Sequence, residues 1–194
     1  MQNRILVLGS TSPYRRELLQ RLGLTFETAA PKVDETRHPG EDANALVRRL
    51  SEAKARAVGE TWPDALVIGS DQVAVLDGEI LGKPGNRERA IAQLSAASGK
   101  RVRFLTGLCL LDSATGEAEV DVVPFDVVFR QLKPAHIETY VDREQPYNCA
   151  GSFKSEGLGI ALFEALEGAD PNALIGLPLI RLCRLLERHG LPVL

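Results

Sequence analysis

Ser10, Ser12, Arg15 and Arg16 fall within one short stretch, Ser10-Thr11-Ser12-Pro13-Tyr14-Arg15-Arg16-Glu17, which follows the apolar run Ile5-Leu6-Val7-Leu8-Gly9. Small hydroxyl residues at the mouth of a helix, with two arginines in its first turn, direct N–H groups, hydroxyls and guanidinium forks at one spot. A phosphate takes that kind of donor set. The same residues also describe an ordinary helix start, with Ser12 as N-cap, Pro13 at the first helical position and the arginines in solvent. Local sequence leaves both readings open.

Other parts of the chain add to the first reading. Ser70-Asp71-Gln72 follows the buried-strand pattern Ala65-Leu66-Val67-Ile68-Gly69. Sites in α/β sheets gather at the carboxyl ends of strands, so Asp71 is a candidate catalytic group. A lone aspartate there is otherwise a turn residue capping its own backbone. Asp34-Glu35 lies in a polar loop and is either solvated surface or, with Asp71, a carboxylate pair for a magnesium-like ion. Such an ion takes a few oxygen ligands plus substrate phosphates. Lys54 and Lys83 would neutralise the same phosphates. The joint set of hydroxyls, two arginines, two lysines and three acids points to phosphate chemistry more strongly than any member does.

The elements that must position these residues follow from the pattern. A helix is expected over residues 13–22, burying Leu18, Leu19 and Leu22 and stopped by Gly23. Residues 26–30 read as a strand and 31–44 as a loop. A helix over 43–58 carries Leu46, Leu50, Ala53 and Ala57 on one stripe. Lys54 projects about 80° round from Leu46, at the stripe's edge, where a lysine either snorkels to water or reaches into a pocket. The strand over 65–69 is expected to stop at Ser70. A hairpin over 73–81 turns at Asp77-Gly78. A helix over 87–97 ends near Gly99, strands cover 102–111 and 117–131, and a helix covers 134–143. The glycine-punctuated stretch 149–159, a short helix after Asp170-Pro171-Asn172 and a leucine-rich helix over 178–189 complete the chain. Strands alternating with helices early, and an antiparallel pair late, give an α/β fold with a mixed sheet.

The bulk composition narrows the options. At 194 residues the chain suits one domain, or one domain with two lobes, and 44% hydrophobic with 25% charged residues is ordinary globular composition. A net charge of −3, from 26 acids against 23 bases, speaks against a nucleic-acid binder, which needs a basic footprint. No apolar run approaches the roughly 20 residues of a membrane helix. The first residues lack a signal-peptide core. Cys109, Cys149 and Cys183 form no C-x-x-C pair and read as reduced thiols of a cytoplasmic protein. His38, His136 and His189 lack metal-ligand spacing. The alternating strand near Val120–Phe129 serves an internal sheet or pairing across a homodimer.

The runs Ser10-Thr11-Ser12-Pro13-x-Arg15-Arg16-Glu17-Leu18-Leu19, Val33-Asp34-Glu35, Glu52-Ala53-Lys54-Ala55, Gly69-Ser70-Asp71-Gln72, Gly82-Lys83-Pro84 and Gly176-Leu177-Pro178 resemble the Maf family of nucleotide pyrophosphatases. Their order and spacing cover nearly the whole chain. Within the family, Gly69-Ser70-Asp71-Gln72 together with Gly151-Ser152-Phe153-Lys154-Ser155-Glu156-Gly157 resembles the branch acting on 7-methyl-GTP. The dTTP and UTP branch tends to carry threonine in place of Gln72 and glutamine in place of Glu156. The resemblance implies an elongated mixed sheet flanked by helices, similar to inosine triphosphatases, with two lobes around a nucleotide-binding cleft. It implies cleavage between the α and β phosphates, with a divalent cation such as magnesium or manganese. Asp71 matches the proton acceptor; Tyr14, Gln72 and Glu156 match specificity positions. Ser10, Arg15, Arg16, Glu35, Lys54 and Lys83 match the polar pocket. Glu35 is the expected metal ligand, with Asp71 shared between metal and water.

Side-chain chemistry fits that branch. Guanine offers N1–H and its exocyclic amine side by side, and the Glu156 carboxylate can accept from both; glutamine would suit uracil or thymine. Methylation at N7 makes the base cationic, and the Tyr14 ring can stack on it, although the branch often carries tryptophan there. Rival readings are a dTTP/UTP pyrophosphatase, a nucleotide-responsive regulator of septum formation with little hydrolysis, and a nucleotidyltransferase, for which no acceptor site is evident.

Overall fold

A computed structural model describes residues 4–194. The elements run β1 (Ile5–Gly9), α1 (Pro13–Gln20), β2 (Glu27–Ala29), α2 (Ala43–Gly59), β3 (Ala65–Leu76), β4 (Glu79–Leu81) and α3 (Arg87–Ala97). They continue with β5 (Arg101–Asp112), β6 (Ala118–Phe129), α4 (Pro134–Glu144), two short 3-10 turns, β7 (Phe163–Gly168), α5 (Pro171–Ile175) and α6 (Leu179–Arg188). The seven strands form one mixed sheet in the order β2-β1-β3-β5-β6-β7, with β4 on β3. β1 pairs in parallel with β2 and β3, while β3–β4 and β6–β7 are antiparallel. The mixed α/β expectation is met. β6 takes its place between β5 and β7 within the sheet. No helix among the described residues is long and apolar enough to cross a membrane.

The chain divides into two compact units. One comprises the chain through Gln72, Thr106–Val123 and Asp170–Leu194; the other comprises Val73–Leu105 and Pro124–Ala169. In the first unit β1, the first half of β3 and the end of β5 are apolar on both faces, as expected of strands covered on both sides. Leu6, Leu8, Leu66, Ile68, Leu108 and Leu110 pack with Leu18 and Leu19 of α1 and with Leu182, Leu185 and Leu186 of α6. The alternate residues Val7, Val67, Cys109 and Leu111 pack with Ala55 and Val58 of α2. Each leucine so buried stabilises the fold by about 2 kcal/mol. Burial also pushes the Cys109 thiol up to about 12, and all three cysteines are free. The core of the second unit holds Phe104, Phe129, Phe153 and Phe163 in edge-to-face contact, with Phe153 touching each of the other three.

Two elements depart from the sequence reading. The strand expected to stop at Gly69 continues through Ser70, Asp71 and Gln72 to Leu76. Gly69 marks a close approach rather than an end, because α2 lies directly on the sheet there. A Cβ at Gly69 would sit 2.1 Å from the Ser51 carbonyl oxygen, and one at Gly107 would sit 2.3 Å from the Val47 carbonyl oxygen. β7, Phe-Glu-Ala-Leu-Glu-Gly, is the strand that sequence missed. Its composition favours no strand, and pairing with β6, from Phe125–Gly168 to Phe129–Phe163, makes it one.

Gly69→Ala should therefore destabilise the protein by about 2–3 kcal/mol, since α2 must move to admit the methyl group. Urea unfolding of the variant against the parent chain measures this.

Candidate active site

Lys54 decides the layout of the first unit's polar cluster. It sits on α2 three residues after Ser51, at the edge of the apolar stripe, and only 6% of it is exposed. The snorkelling alternative is therefore not the one adopted. Its ammonium donates to Asp71 Oδ1 at 2.6 Å and pairs with Glu35 Oε1 at 2.7 Å. Two carboxylates compensate the desolvated cation, and an ammonium has three donors, so one N–H remains for a ligand. Glu35 comes from the loop before α2 and is 57% exposed at its side chain.

Asp71 is buried and held by its backbone as well as its side chain. Its N–H donates to Ser51 Oγ at 3.1 Å, and that hydroxyl in turn donates to the Val47 carbonyl at 2.6 Å. The carboxylate does not cap its own turn. One oxygen faces Lys54, and among the described residues no hydrogen bond reaches the other, Oδ2. Asp71 and Gln72 point to opposite faces of the strand, by the two-residue period of a β-strand.

The start of α1 satisfies both readings made of it. Ser12 is the N-cap, accepting from the Arg15 N–H at 3.4 Å, with Pro13 in the first turn. Ser10 is buried, and its Oγ accepts from the Ser12 N–H at 3.1 Å, leaving the hydroxyl proton unused by that bond. Arg15 joins the charged cluster: burial lowers the guanidinium's pKa, and the negative fields of Asp71 and Glu35 oppose that shift. Its Nε donates to the Gly176 carbonyl at 2.8 Å. Arg16 and Tyr14 are exposed on the same turn. Asp34 instead accepts from the Thr36 N–H at 2.9 Å in a local turn.

Gln72 is spoken for on its donor side. Its two Nε2 N–H groups are shared among three acceptors, Thr106 Oγ1 at 3.0 Å, the Ala173 carbonyl at 2.8 Å and the Leu174 carbonyl at 3.0 Å. Carbonyls only accept, so the amide orientation is determined and Oε1 is the atom turned away from them. Ser51, Thr106 and the carbonyls of residues 173–176 are the supporting groups that sequence reasoning missed. Nothing in local sequence marks them, since the site residues they hold lie 20 to 161 residues away.

Lys83 and Glu156 belong to the second unit. Lys83 is exposed in the loop between β4 and α3, which is tied down by the Gly85 N–H on the Tyr147 carbonyl at 2.9 Å and Gln93 Nε2 on the Gly82 carbonyl at 3.0 Å. Glu156 is exposed and accepts from Ser155 Oγ at 3.3 Å. Burial raises the Cys149 thiol; Lys154 and Lys83 pull it down, and Glu156 and Glu144 push it up.

Among the described residues no group of three or more His, Cys, Asp or Glu side chains is placed to hold a metal ion. Glu35 and Asp71 converge on one cation, the Lys54 ammonium, and two carboxylates completed by phosphate oxygens match how magnesium binds. A surface cavity of about 470 Å³ lined by Ile5, Phe26 and Trp62 contains none of these residues.

The family model described as Maf-like protein matches residues 5–189, and the chain belongs to the Maf family. It is 64% identical over 189 residues to a 7-methyl-GTP pyrophosphatase of Nitrosococcus oceani, covering 97% of this chain and 95% of that protein. It is 61% identical to a protein of the same name from Alcanivorax borkumensis, covering 97% and 96%. A third 7-methyl-GTP pyrophosphatase, from Pseudomonas syringae pv. tomato, is 58% identical, covering 97% and 98%.

Lys54→Met should lower stability by about 3 kcal/mol, because it strips the buried Asp71 carboxylate of its counter-ion. Chemical denaturation at neutral pH reads the loss.

Proposed function

We propose that the chain is a nucleoside triphosphate pyrophosphatase that hydrolyses 7-methyl-GTP to 7-methyl-GMP and pyrophosphate, removing a modified nucleotide in the cytoplasm. One observation carries the reading. The Lys54 ammonium is clamped between Asp71 and Glu35 in a chain close to proteins named for that activity.

Water attacks the α-phosphorus, the bond from that phosphorus to the α–β bridging oxygen breaks, and pyrophosphate leaves. Asp71 Oδ2 accepts the water proton, since Oδ1 is engaged by Lys54. The remaining Lys54 N–H, the Arg15 and Arg16 guanidiniums and Lys83 stabilise the negative charge of the phosphates, and the Ser10 hydroxyl donates to them. Glu35 and Asp71 would hold magnesium or manganese, which when bound draws charge from the phosphate oxygens. Tyr14 stacks on the cationic base, worth about 0.5–2 kcal/mol. Glu156 accepts from guanine N1–H and the exocyclic amine, and Gln72 contributes an acceptor oxygen.

Pyrophosphate release from 7-methyl-GTP, GTP, UTP, dTTP and CTP tests the reading, with preference for 7-methyl-GTP expected. Asp71→Asn should cut turnover about a thousandfold while remaining folded by circular dichroism; near-parent activity would remove Asp71 from the mechanism. Glu156→Gln should cost about 1.5–3 kcal/mol in kcat/KM for 7-methyl-GTP and shift preference toward UTP or dTTP. An unchanged profile would mean that Glu156 does not read the base.

A further inference from the structure

Gly176-Leu177-Pro178 follows α5 and has no part in the chemistry above. Its geometry is nevertheless specific. Gly176 adopts φ 124°, and the Leu177 N–H folds back to the Asn172 carbonyl at 3.2 Å, beside the Gly176 N–H at 3.1 Å. This is the glycine-terminated helix end in which two N–H groups turn back on the last turn. Two consequences follow for the carbonyls left behind. The Leu177 N–H, which a continuing helix would give to Ala173, goes to Asn172 instead. Pro178 has no N–H to give to Leu174.

Those orphaned carbonyls are taken by side chains from three other elements. Ala173 accepts from Gln72 Nε2 and Thr106 Oγ1, Leu174 accepts from Gln72 Nε2, and Gly176 accepts from Arg15 Nε and Ser70 Oγ. Buried Asp170 pins both ends of the segment, accepting from the Asn172 N–H at 2.9 Å and the Ile180 N–H at 2.7 Å.

We propose that Gly176-Leu177-Pro178 is a positioning device, which ends α5 so that its free carbonyls aim the Arg15 guanidinium and the Gln72 amide. It rests on the reading of Arg15 as a phosphate ligand and Gln72 as a base reader. Arg15 is thereby oriented at Nε, leaving its terminal N–H groups for an anion. Gln72 is left with an acceptor only, which favours a base edge carrying donors.

The test is a double-substitution cycle in the full chain, with 7-methyl-GTP as substrate. Alanine does not adopt φ 124° without strain, so Gly176→Ala turns the carbonyl away from Arg15. It should raise KM about tenfold with a smaller change in kcat. Arg15→Lys should lower kcat/KM at least as much, and the double variant should be little worse than the worse single one. Fully additive losses would overturn the positioning role. Thr106→Val, measured in parallel, covers the case in which Gly176→Ala fails to fold. It should reduce the preference for 7-methyl-GTP over UTP about threefold, with Thr106→Ser restoring it, the loss of one hydrogen bond on Gln72. An unchanged preference in Thr106→Val would sink the arm concerning Gln72. A parent chain that turns over no nucleotide refutes the activity, and the device with it, whereas turnover with additive losses refutes the device alone.

Discussion

The closeness of α2 to the sheet is the constraint on which the rest of the site depends. Gly69 and Gly107 have no side chains, so the helix backbone rests against β3 and β5 at Ser51 and Val47. On that closely packed helix Lys54 is buried, and its ammonium meets Asp71 and Glu35. An isolated buried cation would be too costly to retain. With one carboxylate at 2.6 Å and another at 2.7 Å, the charge is neutralised locally and the desolvation is offset. Ser51 adds a hydroxyl that accepts the Asp71 N–H, so the aspartate is fixed at its backbone and at one carboxylate oxygen.

The unit that carries this cluster is assembled from sequence-distant pieces. β1, β3 and the end of β5 supply alternating apolar faces, α2 covers one face, and α1 with α6 covers the other. Residues after Asp170 are needed twice over. The leucines of α6 close the core, and the carbonyls just before it orient side chains from β3, β5 and α1. Stability and the geometry of the polar side chains therefore depend on the same segment.

The second unit has a different economy of design. Its phenylalanine cluster forms an apolar centre around Phe153, and the functional candidates lie on exposed loops anchored by backbone hydrogen bonds. Lys83 and Glu156 are both exposed there. This is the usual division between a rigid scaffold and the loops that carry specificity.

The amino-acid sequence alone determined the succession of elements, because apolar periodicity and capping residues act over a few neighbours. The Ser12 N-cap, the Asp77-Gly78 hairpin, the helix on α2 and the mixed α/β class were all legible in that way. The motifs that match the Maf family were legible too, as residue types in order. Tertiary structure decided what spacing does not encode. It ran β3 through Ser70-Asp71-Gln72, since a glycine that admits a helix looks locally the same as one that ends a strand. It made a strand of Phe163–Gly168, whose pairing partner, not its composition, supplies the β structure. It turned Lys54 inward, because the choice between water and an ion pair depends on carboxylates 17 and 19 residues away in the chain. Such choices rest on through-space contacts, and only the folded chain brings those groups within reach.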